Sequence, residues 1–311
     1  MKVLVTGATG FVGGRLVPAL LAADHDVSVL VRDRDRYDPP DGVTVFEGDV
    51  LEEGSFEAAL ADVDAAFYLI HGMGAGGGFE DRDRRAADNF ATAASAAGVT
   101  RVIYLSGLGV DDDDLSAHLR SRREVERVLA EGNFDLTVLR AAIIVGDGSA
   151  SFRMVRQLAS RLPVMITPQW VSTRVQPIAI SDVIEYLVAI LDVPETADDT
   201  FEIGGPDVLT YREMLIETGK LLSGREPFVV PVPFLTPRLS AYWVDLVTDV
   251  PASVAYPLID GMTTDVIVTD DRIRSLVPIE LTPYETAVRR ALEEAEGVTI
   301  AADARAIQGD R

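Results

Sequence analysis

The feature that most constrains the fold is a glycine-rich turn near the first residue, in the stretch "VTGATGFVGG" at 5–14. Its glycines follow the apolar run "KVLVT" and precede an apolar helical pattern. Glycines at this spacing permit a tight turn, close approach of the backbone to a pyrophosphate, and close packing of the helix on the strand. Amides at the start of that helix bind phosphate oxygens with the help of the helix dipole. The turn therefore predicts a dinucleotide site, which we assign to Thr6, Gly7, Thr9, Gly10, Phe11, Val12 and Gly13.

The first 145 residues predict an α/β fold with a doubly wound parallel sheet. Short, nearly continuous apolar runs alternate there with helical patterns, which is typical of parallel strands covered by helices on both faces. Right-handed crossovers then give the doubly wound arrangement. The alternation becomes less regular after about residue 150. We predict a dinucleotide-binding Rossmann domain over 1–150 and a smaller C-terminal α/β region over 151–311 that packs on the sheet and carries the substrate or partner contacts.

The composition limits what the chain can bind. It has no cysteine, which excludes disulfides, thiolate catalysis and cysteine-based zinc sites. The net charge is −22, from 50 acidic and 28 basic residues, and no basic stripe is present that would bind nucleic acid. No apolar run approaches the roughly 20 residues of a membrane span, and no signal-peptide pattern opens the chain. We expect a cytoplasmic protein with no membrane span, for which peripheral membrane contact stays open.

The acidic residues are dispersed and rich in aspartate, whereas Lys2 and Lys220 are the only lysines. A surface of this kind is typical of proteins from salt-accumulating organisms, in which salt screens the self-repulsion. The alternative is a docking surface for a basic partner. We favour the halophilic interpretation because the acids are not gathered into one patch.

Residues after the second and third predicted strands bear on the choice of cofactor. An acidic residue after the second strand would bind the ribose hydroxyls of NAD, and an arginine would favour the 2′-phosphate of NADP. Arg32 is the first side chain at this point, but Asp33 and Asp35 follow it, so we predict NADP and leave NAD possible. Asp49 and Val50 follow the third strand, where a carboxylate can accept a hydrogen bond from the adenine amino group. A simple turn or helix cap is the alternative there.

The stretch "LSAHLRSRREVERVL" at 115–129 predicts a helix with one apolar stripe. His118 and Arg122 lie one turn apart on that same stripe. We expect the remaining charged residues to form a solvated, salt-bridged face; they are Arg120, Arg123, Glu124 and Arg127. Polar side chains on an interior face cost stability, so the pair His118 and Arg122 indicates a functional role.

Several motifs together resemble the atypical, extended short-chain dehydrogenases/reductases. They are the glycine turn, Asp49, the strand end "VIYLSGLG" and the segment "RVQPIAISDV". The chain is most similar to the NAD(P)H-binding NmrA-like branch, which is akin to complex I subunits of 39 kDa type and to nucleoside-diphosphate-sugar epimerase-like proteins. In that superfamily a serine after the fifth strand is followed by Tyr-x-x-x-Lys on the next helix.

The resemblance implies catalytic roles for three residues. Ser106 matches the serine of the family, and His118-x-x-x-Arg122 stands where the family has Tyr-x-x-x-Lys. His118 would then handle the proton, while Arg122 would hold the cofactor ribose. A histidine is a capable proton donor near neutrality, and a neighbouring arginine favours its neutral form. The alternative is that the pair only seats the nicotinamide end of the cofactor.

Other residues complete the predicted site. His71 ends the fourth strand at the carboxyl edge where ligands bind such sheets, next to a glycine-rich loop at 72–85. The resemblance places Arg174 and Gln176 beside the substrate, although a structural salt bridge of Arg174 is equally possible. A helix is expected from Ser181, as its N-cap, to Asp192. The three scattered histidines do not suggest a metal site.

The segment 234–261 is rich in aromatic and apolar residues, including Tyr242, Trp243 and Tyr256. A pair of core helices is the favoured interpretation. The alternative is a contact surface for a membrane-bound or quinone-handling partner.

Two functions stay open at this point. One is an NAD(P)H-dependent oxidoreductase that acts on a quinone or carbonyl compound. The other is a non-catalytic NADP(H)-sensing protein or an assembly or regulatory protein of a respiratory complex. A sugar-nucleotide epimerase is less favoured, because the tyrosine of the family is missing.

Overall fold

The computed structural model describes residues 1–72, 78–109, 115–162, 164–232, 248–249, 259 and 261–296. The centre of the glycine-rich loop, 73–77, lies outside these residues, and so do Tyr242, Trp243 and Tyr256. The predictions made for the loop and for the aromatic segment therefore fall outside the described chain.

The strands are β1 (Lys2–Thr6), β2 (Asp26–Val31), β3 (Thr44–Glu47), β4 (Ala65–Tyr68), β5 (Arg101–Gly107), β6 (Asp135–Ala141), β7 (Ile144–Val145), β8 (Val164–Pro168), β9 (Arg174–Val175), β10 (Ile178–Ala179), β11 (Thr200–Ile203), β12 (Leu209–Thr210) and β13 (Phe228–Val232). The helices are α1 (Gly13–Ala22), α2 (Phe79–Ala97), α3 (Ala117–Leu129), α4 (Ala150–Arg161), α5 (Ile180–Ala189), α6 (Tyr211–Ser223), α7 (Ile273–Leu276) and α8 (Tyr284–Ala295). None of these helices is long and apolar enough to cross a membrane.

A seven-stranded sheet forms the centre of the described chain, in the order β11-β6-β5-β4-β1-β2-β3. Every neighbouring pair in it is parallel. The direction of winding reverses between β1 and β4, so the carboxyl ends of these two strands form the crevice where ligands bind in doubly wound sheets. The predicted doubly wound fold is confirmed.

Alternation along the strands explains how the sheet is covered on both faces. In β5, Val102 and Tyr104 pack in the cluster with α2 and α3, whereas Ile103 and Leu105 pack in the cluster with α1 and α5. A third apolar cluster lies in the C-terminal region, around α4, α6 and α8.

The C-terminal region is tied to the sheet. Its strand β11 pairs with β6, and α5 packs in the same apolar cluster as α1. The domain boundary near residue 150 stays a prediction.

Some element ends differ from the sequence prediction. The apolar run "LTVLRAAII" at 136–144 predicts one strand, but β6 ends at Ala141, because the chain turns away there and Ile144 pairs with Ile178 of β10. Helix α5 begins at Ile180, directly after β10, and its N-cap is Ala179. The hydroxyl of Ser181 therefore does not cap the helix and donates to Asp182 instead, at 2.9 Å.

Candidate active site

The glycine turn is a closed, tightly packed structure between β1 and α1. Gly7 has a φ of +70°, which L side chains rarely adopt, and a Cβ there would lie 2.7 Å from the carbonyl oxygen of Leu69. The amide of Gly10 donates to the carbonyl of Gly7 at 2.9 Å. A Cβ on Gly13 would lie only 2.3 Å from that same carbonyl oxygen. The first residue of α1 therefore touches the turn itself, as the glycine spacing predicted.

The start of α1 offers free donors for a phosphate. The amides of Phe11, Val12 and Gly13 have no hydrogen-bond acceptor within the described residues, and Val12 at the N-cap supplies no side-chain cap. Unpaired amides at a helix start, with the positive end of the dipole, bind anions. The turn thus fits the pyrophosphate of a dinucleotide.

A cleft of about 450 Å³ opens beside this turn, at the carboxyl ends of β1, β4, β5 and β6. It brings together predicted residues from four parts of the sequence: the glycine turn, His71, Ser106, and the pair His118 and Arg122 on α3. The first turn of α4 also borders it, through Ser149 and Ser151.

Ser106 stands at the end of β5 with a buried hydroxyl that has no hydrogen-bond partner within the described residues. Its side chain lies on the same face of β5 as the side chain of Tyr104, which is the face towards α3. A buried hydroxyl without a partner is rare in folded proteins. Ser106 also lines the cleft, so no protein partner in the described part of the chain competes there for its hydroxyl.

His118 and Arg122 of helix α3 line the same cleft. Ser116 caps the helix by accepting from the amide of Leu119, and the predicted apolar stripe is buried at Val125 and Leu129. The Nη1 atom of Arg122 lies 3.4 Å from the hydroxyl of Tyr104 and 3.5 Å from the carbonyl of Leu105. Its buried Nε has no partner within the described residues. The guanidinium is thus held by long contacts and keeps free donor capacity.

Both histidines of the cleft are neutral at pH 7. Burial and then the charge of Arg122 lower the pKa of His118 from 6.5 to about 3. The charge of Arg122 is the largest influence that lowers the pKa of His71. The side chain of His71 is exposed, so water screens part of the effect of Arg122 on the pKa of His71. Each imidazole therefore offers one N–H donor and one acceptor.

A polar cluster that the sequence did not reveal lies beneath the cleft. Asp83 of α2 is buried, accepts from the hydroxyl of Ser121 at 3.2 Å, and its burial raises the pKa of its carboxyl. A Cβ on Gly72 would lie 2.8 Å from an oxygen of Asp83. The carboxyl thus joins the end of β4 to α3. Its place in the charged run "EDRDRR" gave no signal of burial.

The prediction of a solvated face on α3 is wrong for Arg123. Its guanidinium is buried and donates to the carbonyls of Gly107 and Gly109, at 3.1 and 3.0 Å, and to Glu126 at 2.8 Å. Glu126 in turn pairs with Arg140 of β6 at 2.6 Å. Arg123 lies on the inner face because it follows the buried Leu119 by one turn. It therefore fixes the loop after Ser106.

The other charged residues of that face follow the prediction. Arg127 pairs with Glu124 at 3.2 Å, and Arg120 is exposed and contacts the carbonyl of Leu115.

The residues expected at the adenosine end lie after β2 and β3. Arg32 is exposed and has no ion-pair partner within the described residues, whereas the carboxylate of Asp33 caps the next turn by accepting from Asp35 at 3.1 Å. Asp49 accepts from the amide of Leu51 at 2.9 Å, and Val50 is buried. Asp49 therefore caps a turn, as its alternative interpretation held, and Arg32 keeps its charge free.

Seven predicted site residues do not line the cleft; they are Thr6, Thr9, Arg32, Asp49, Val50, Arg174 and Gln176. The hydroxyl of Thr6 donates to the carbonyl of Phe67 at 3.0 Å and thereby ties β1 to β4. Arg174 forms a salt bridge to Asp265 at 2.6 Å, which is the structural role that the sequence left open. Gln176 is buried and donates to the carbonyl of Gly205 at 2.7 Å. The partners of Thr6, Arg174 and Gln176 are distant in sequence, so no local pattern revealed these roles.

The parallel sheet, the glycine turn and the cleft together define a dinucleotide-binding α/β protein of the doubly wound type. A family model described as NAD(P)H-binding matches residues 7–171, more than half of the chain. The chain belongs to this NAD(P)H-binding family.

Two curated relatives are similar over most of the chain. One is the NADH dehydrogenase [ubiquinone] 1 alpha subcomplex subunit 9, mitochondrial, of Arabidopsis thaliana, which is 28% identical over 304 residues and covers 90% of this chain and 75% of the relative. The other is (4-alkanoyl-5-oxo-2,5-dihydrofuran-3-yl)methyl phosphate reductase of Streptomyces griseus subsp. griseus, 29% identical over 229 residues, with 71% of this chain and 73% of the relative covered. These relatives support the resemblance to atypical short-chain reductases and complex I subunits.

Among solved structures, the triphenylmethane reductase of Citrobacter sp. complexed with NADP(H) has a TM-score of 0.73. It is 21% identical, and the match covers 94% of this chain and 100% of that one. This likeness supports the fold.

Proposed function

We propose that this protein is an NADPH-dependent reductase of a quinone or carbonyl compound. The observation that carries the proposal is the meeting of Ser106, His118 and Arg122 in the cleft that borders the glycine turn. The NAD(P)H-binding family to which the chain belongs supplies the cofactor class.

The preference for NADPH rests on the residues after β2. Arg32 is exposed and unpaired within the described residues, so it is free to bind the 2′-phosphate. The carboxylate of Asp33, the residue that would bind ribose hydroxyls of NAD, is occupied as a cap.

The amides of Phe11, Val12 and Gly13 would hold the pyrophosphate, and Arg122 would hold the ribose next to the nicotinamide. When bound, the reduced cofactor supplies a hydride to the acceptor. The unpartnered hydroxyl of Ser106 donates to the acceptor oxygen that gains electrons. The neutral imidazole of His118 donates a second hydrogen bond to the same oxygen.

The two relatives favour different functions. The Streptomyces relative is named a reductase, which favours catalysis. The Arabidopsis relative is named a subunit of NADH dehydrogenase, which favours a second candidate, a non-catalytic NADP(H)-sensing or assembly protein of a respiratory complex. The absent Tyr-x-x-x-Lys pair agrees with that candidate. The unpartnered hydroxyl of Ser106 favours the reductase.

The first experiment is a fluorescence titration of the purified protein with NADPH and with NADH in molar potassium chloride. We expect NADPH to bind more tightly, and Arg32→Ser to reduce that preference while leaving NADH binding unchanged. Oxidation of NADPH is then measured with quinones and carbonyl compounds. Activity that His118→Phe abolishes without changing NADPH affinity supports the reductase. Tight NADPH binding without turnover of any acceptor contradicts it and favours the second candidate.

A further inference from the structure

We propose that the acceptor is an uncharged quinone, which this site reduces by two electrons to the hydroquinone. This inference rests on the proposed reductase function and names its substrate class.

Beyond the glycine turn the cleft is largely apolar. Its apolar lining there comes from the loop after β5, from α3, from the chain after β6 and from 262–266; the residues are Leu108, Leu119, Ile143, Ile144, Met262 and Val266. Such a lining removes apolar surface of a ring from water, at about 25 cal/mol per Å². Apolar side chains outnumber the hydroxyl-bearing residues of the lining, which are Ser106, Ser116, Ser149, Ser151 and Tyr211, so an apolar ring is the better ligand.

The cleft offers no cation to an anionic substrate once the cofactor is bound. Arg122 is the only cationic residue among the described residues that line it, and the proposed function assigns Arg122 to the cofactor ribose. Arg174 is not among the lining residues, and its guanidinium is paired with Asp265 at 2.6 Å. The net charge of −22 also repels anions over the whole surface. An uncharged acceptor needs no cation in the cleft and is not repelled by the net negative charge.

The protonation states in the cleft favour a quinone over a simple ketone. Reduction of a ketone leaves an alkoxide, which needs a strong proton donor at once. His118 is neutral at pH 7, because burial and Arg122 hold its pKa far below the usual value, and the tyrosine of the related enzymes is absent. Reduction of a quinone leaves a phenolate, whose conjugate acid has a pKa of about 10, as in tyrosine. Hydrogen bonds from neutral donors are sufficient to stabilise such an oxygen.

The reaction balances with the components named. The quinone accepts a hydride, which carries two electrons, from the bound reduced dinucleotide, and the dinucleotide is thereby oxidised. The hydride forms a new O–H bond at one carbonyl oxygen, and the other oxygen becomes a phenolate that accepts hydrogen bonds from Ser106 and His118. A proton from water then converts the anion to the hydroquinone. No oxidant or reductant beyond NADPH and the quinone is required.

The test compares 1,4-naphthoquinone with 1,4-naphthoquinone-2-sulfonate, which share a ring system and differ in charge. NADPH oxidation is followed with the wild-type protein and with two variants at Ser151, a half-buried residue of the cleft on the first turn of α4. Ser151→Arg adds a cation to the lining, and Ser151→Gln is the uncharged control. The rate without protein is subtracted, and each variant is compared with wild type on the same quinone, so the different redox potentials of the two quinones cancel.

We expect Ser151→Arg to raise kcat/KM for the sulfonate about tenfold relative to wild type, since a partly buried ion pair contributes about 1.4 kcal/mol. We expect Ser151→Gln, which adds bulk without charge, to change kcat/KM for both quinones by the same factor, and wild type to prefer the neutral quinone. An aromatic ketone of the same size, 1-acetonaphthone, is expected to give no turnover.

Three results would overturn the inference. If wild type reduces the sulfonate as well as the neutral quinone and Ser151→Arg adds nothing, the cleft does not select against charge. If the ketone is reduced and the quinones are not, the substrate class is wrong although the reductase function stands. If NADPH binds but no acceptor is reduced, the proposed function itself fails. The folding of each variant is verified by an NADPH titration before the rates are compared.

Discussion

Two adjacent glycines at the start of α1 provide a sharp test of the dinucleotide turn. A Cβ on Gly13 would lie 2.3 Å from the carbonyl oxygen of Gly7, 2.8 Å from its carbonyl carbon and 2.9 Å from the Cα of Ala8. All three are backbone atoms, so no side-chain rotation relieves the contact. A Cβ on Gly14 would lie 3.5 Å from the carbonyl oxygen of Ala8, an ordinary van der Waals distance. The two substitutions to alanine add the same methyl group and differ only in what it meets.

Opposite effects on stability are expected. Gly13→Ala overpacks the turn and should lower the free energy of unfolding by about 1–3 kcal/mol. Gly14→Ala replaces an exposed glycine of a helix and should raise it by about 0.5–1 kcal/mol. The difference between the variants is therefore about 1.5–4 kcal/mol. Because the methyl group of Gly13→Ala displaces the turn that approaches the pyrophosphate, its Kd for NADPH should rise at least about tenfold, which is 1.4 kcal/mol.

Chemical denaturation in molar potassium chloride measures the free energies, and nucleotide fluorescence measures the Kd values. Gly14→Ala controls for the helix position and should keep the Kd of wild type. If Gly13→Ala is as stable as Gly14→Ala and binds NADPH as wild type does, the turn is not the rigid cradle described above. The assignment of the pyrophosphate to this turn would then be refuted.

Three further outcomes are expected. Arg123→Met removes the donors to the carbonyls of Gly107 and Gly109, so KM for the acceptor should rise about five- to tenfold with NADPH affinity unchanged. The control is Arg127→Met, which removes an exposed ion pair with Glu124. Equal effects of the two substitutions would contradict a role of Arg123 in positioning the loop. His118 has a folded pKa of about 3, below its ordinary 6.5, so the unfolded chain binds a proton between these values that the folded protein does not. Its contribution is complete above pH 6.5 and is lost as the pH falls toward 3. His118→Gln should therefore reduce the loss of unfolding free energy between pH 6.5 and 5 by about 2 kcal/mol, and an unchanged pH profile would show that His118 is not held neutral. Salt screens the self-repulsion of the net charge of −22, and raising potassium chloride from 0.1 to 1 M shortens the Debye length from about 10 to 3 Å. The thermal midpoint of unfolding should therefore rise with salt. A midpoint that stays constant or falls would contradict the halophilic interpretation of the surface.

The sequence by itself determined those features whose physical causes are local. The glycine turn is a strand, a turn and a helix start within a few residues, so its spacing alone indicated the close approach of Gly13 to Gly7. The alternation of short apolar runs and helices determined the doubly wound sheet, because parallel neighbours require crossovers. The spacing of His118 and Arg122 likewise placed both on one helix face.

Only the tertiary structure decided which partner each charged side chain has and which of these pairs are buried. Arg123 seemed part of a solvated face, yet its partners come from the end of β5 and, through Glu126, from Arg140 of β6. Arg174 pairs with Asp265, which lies far along the chain. In a chain with 50 acidic residues, almost any arginine has several candidate partners in the sequence. The packing of α3 on the sheet selects one of them, because a buried charge must be paired while an exposed one need not be.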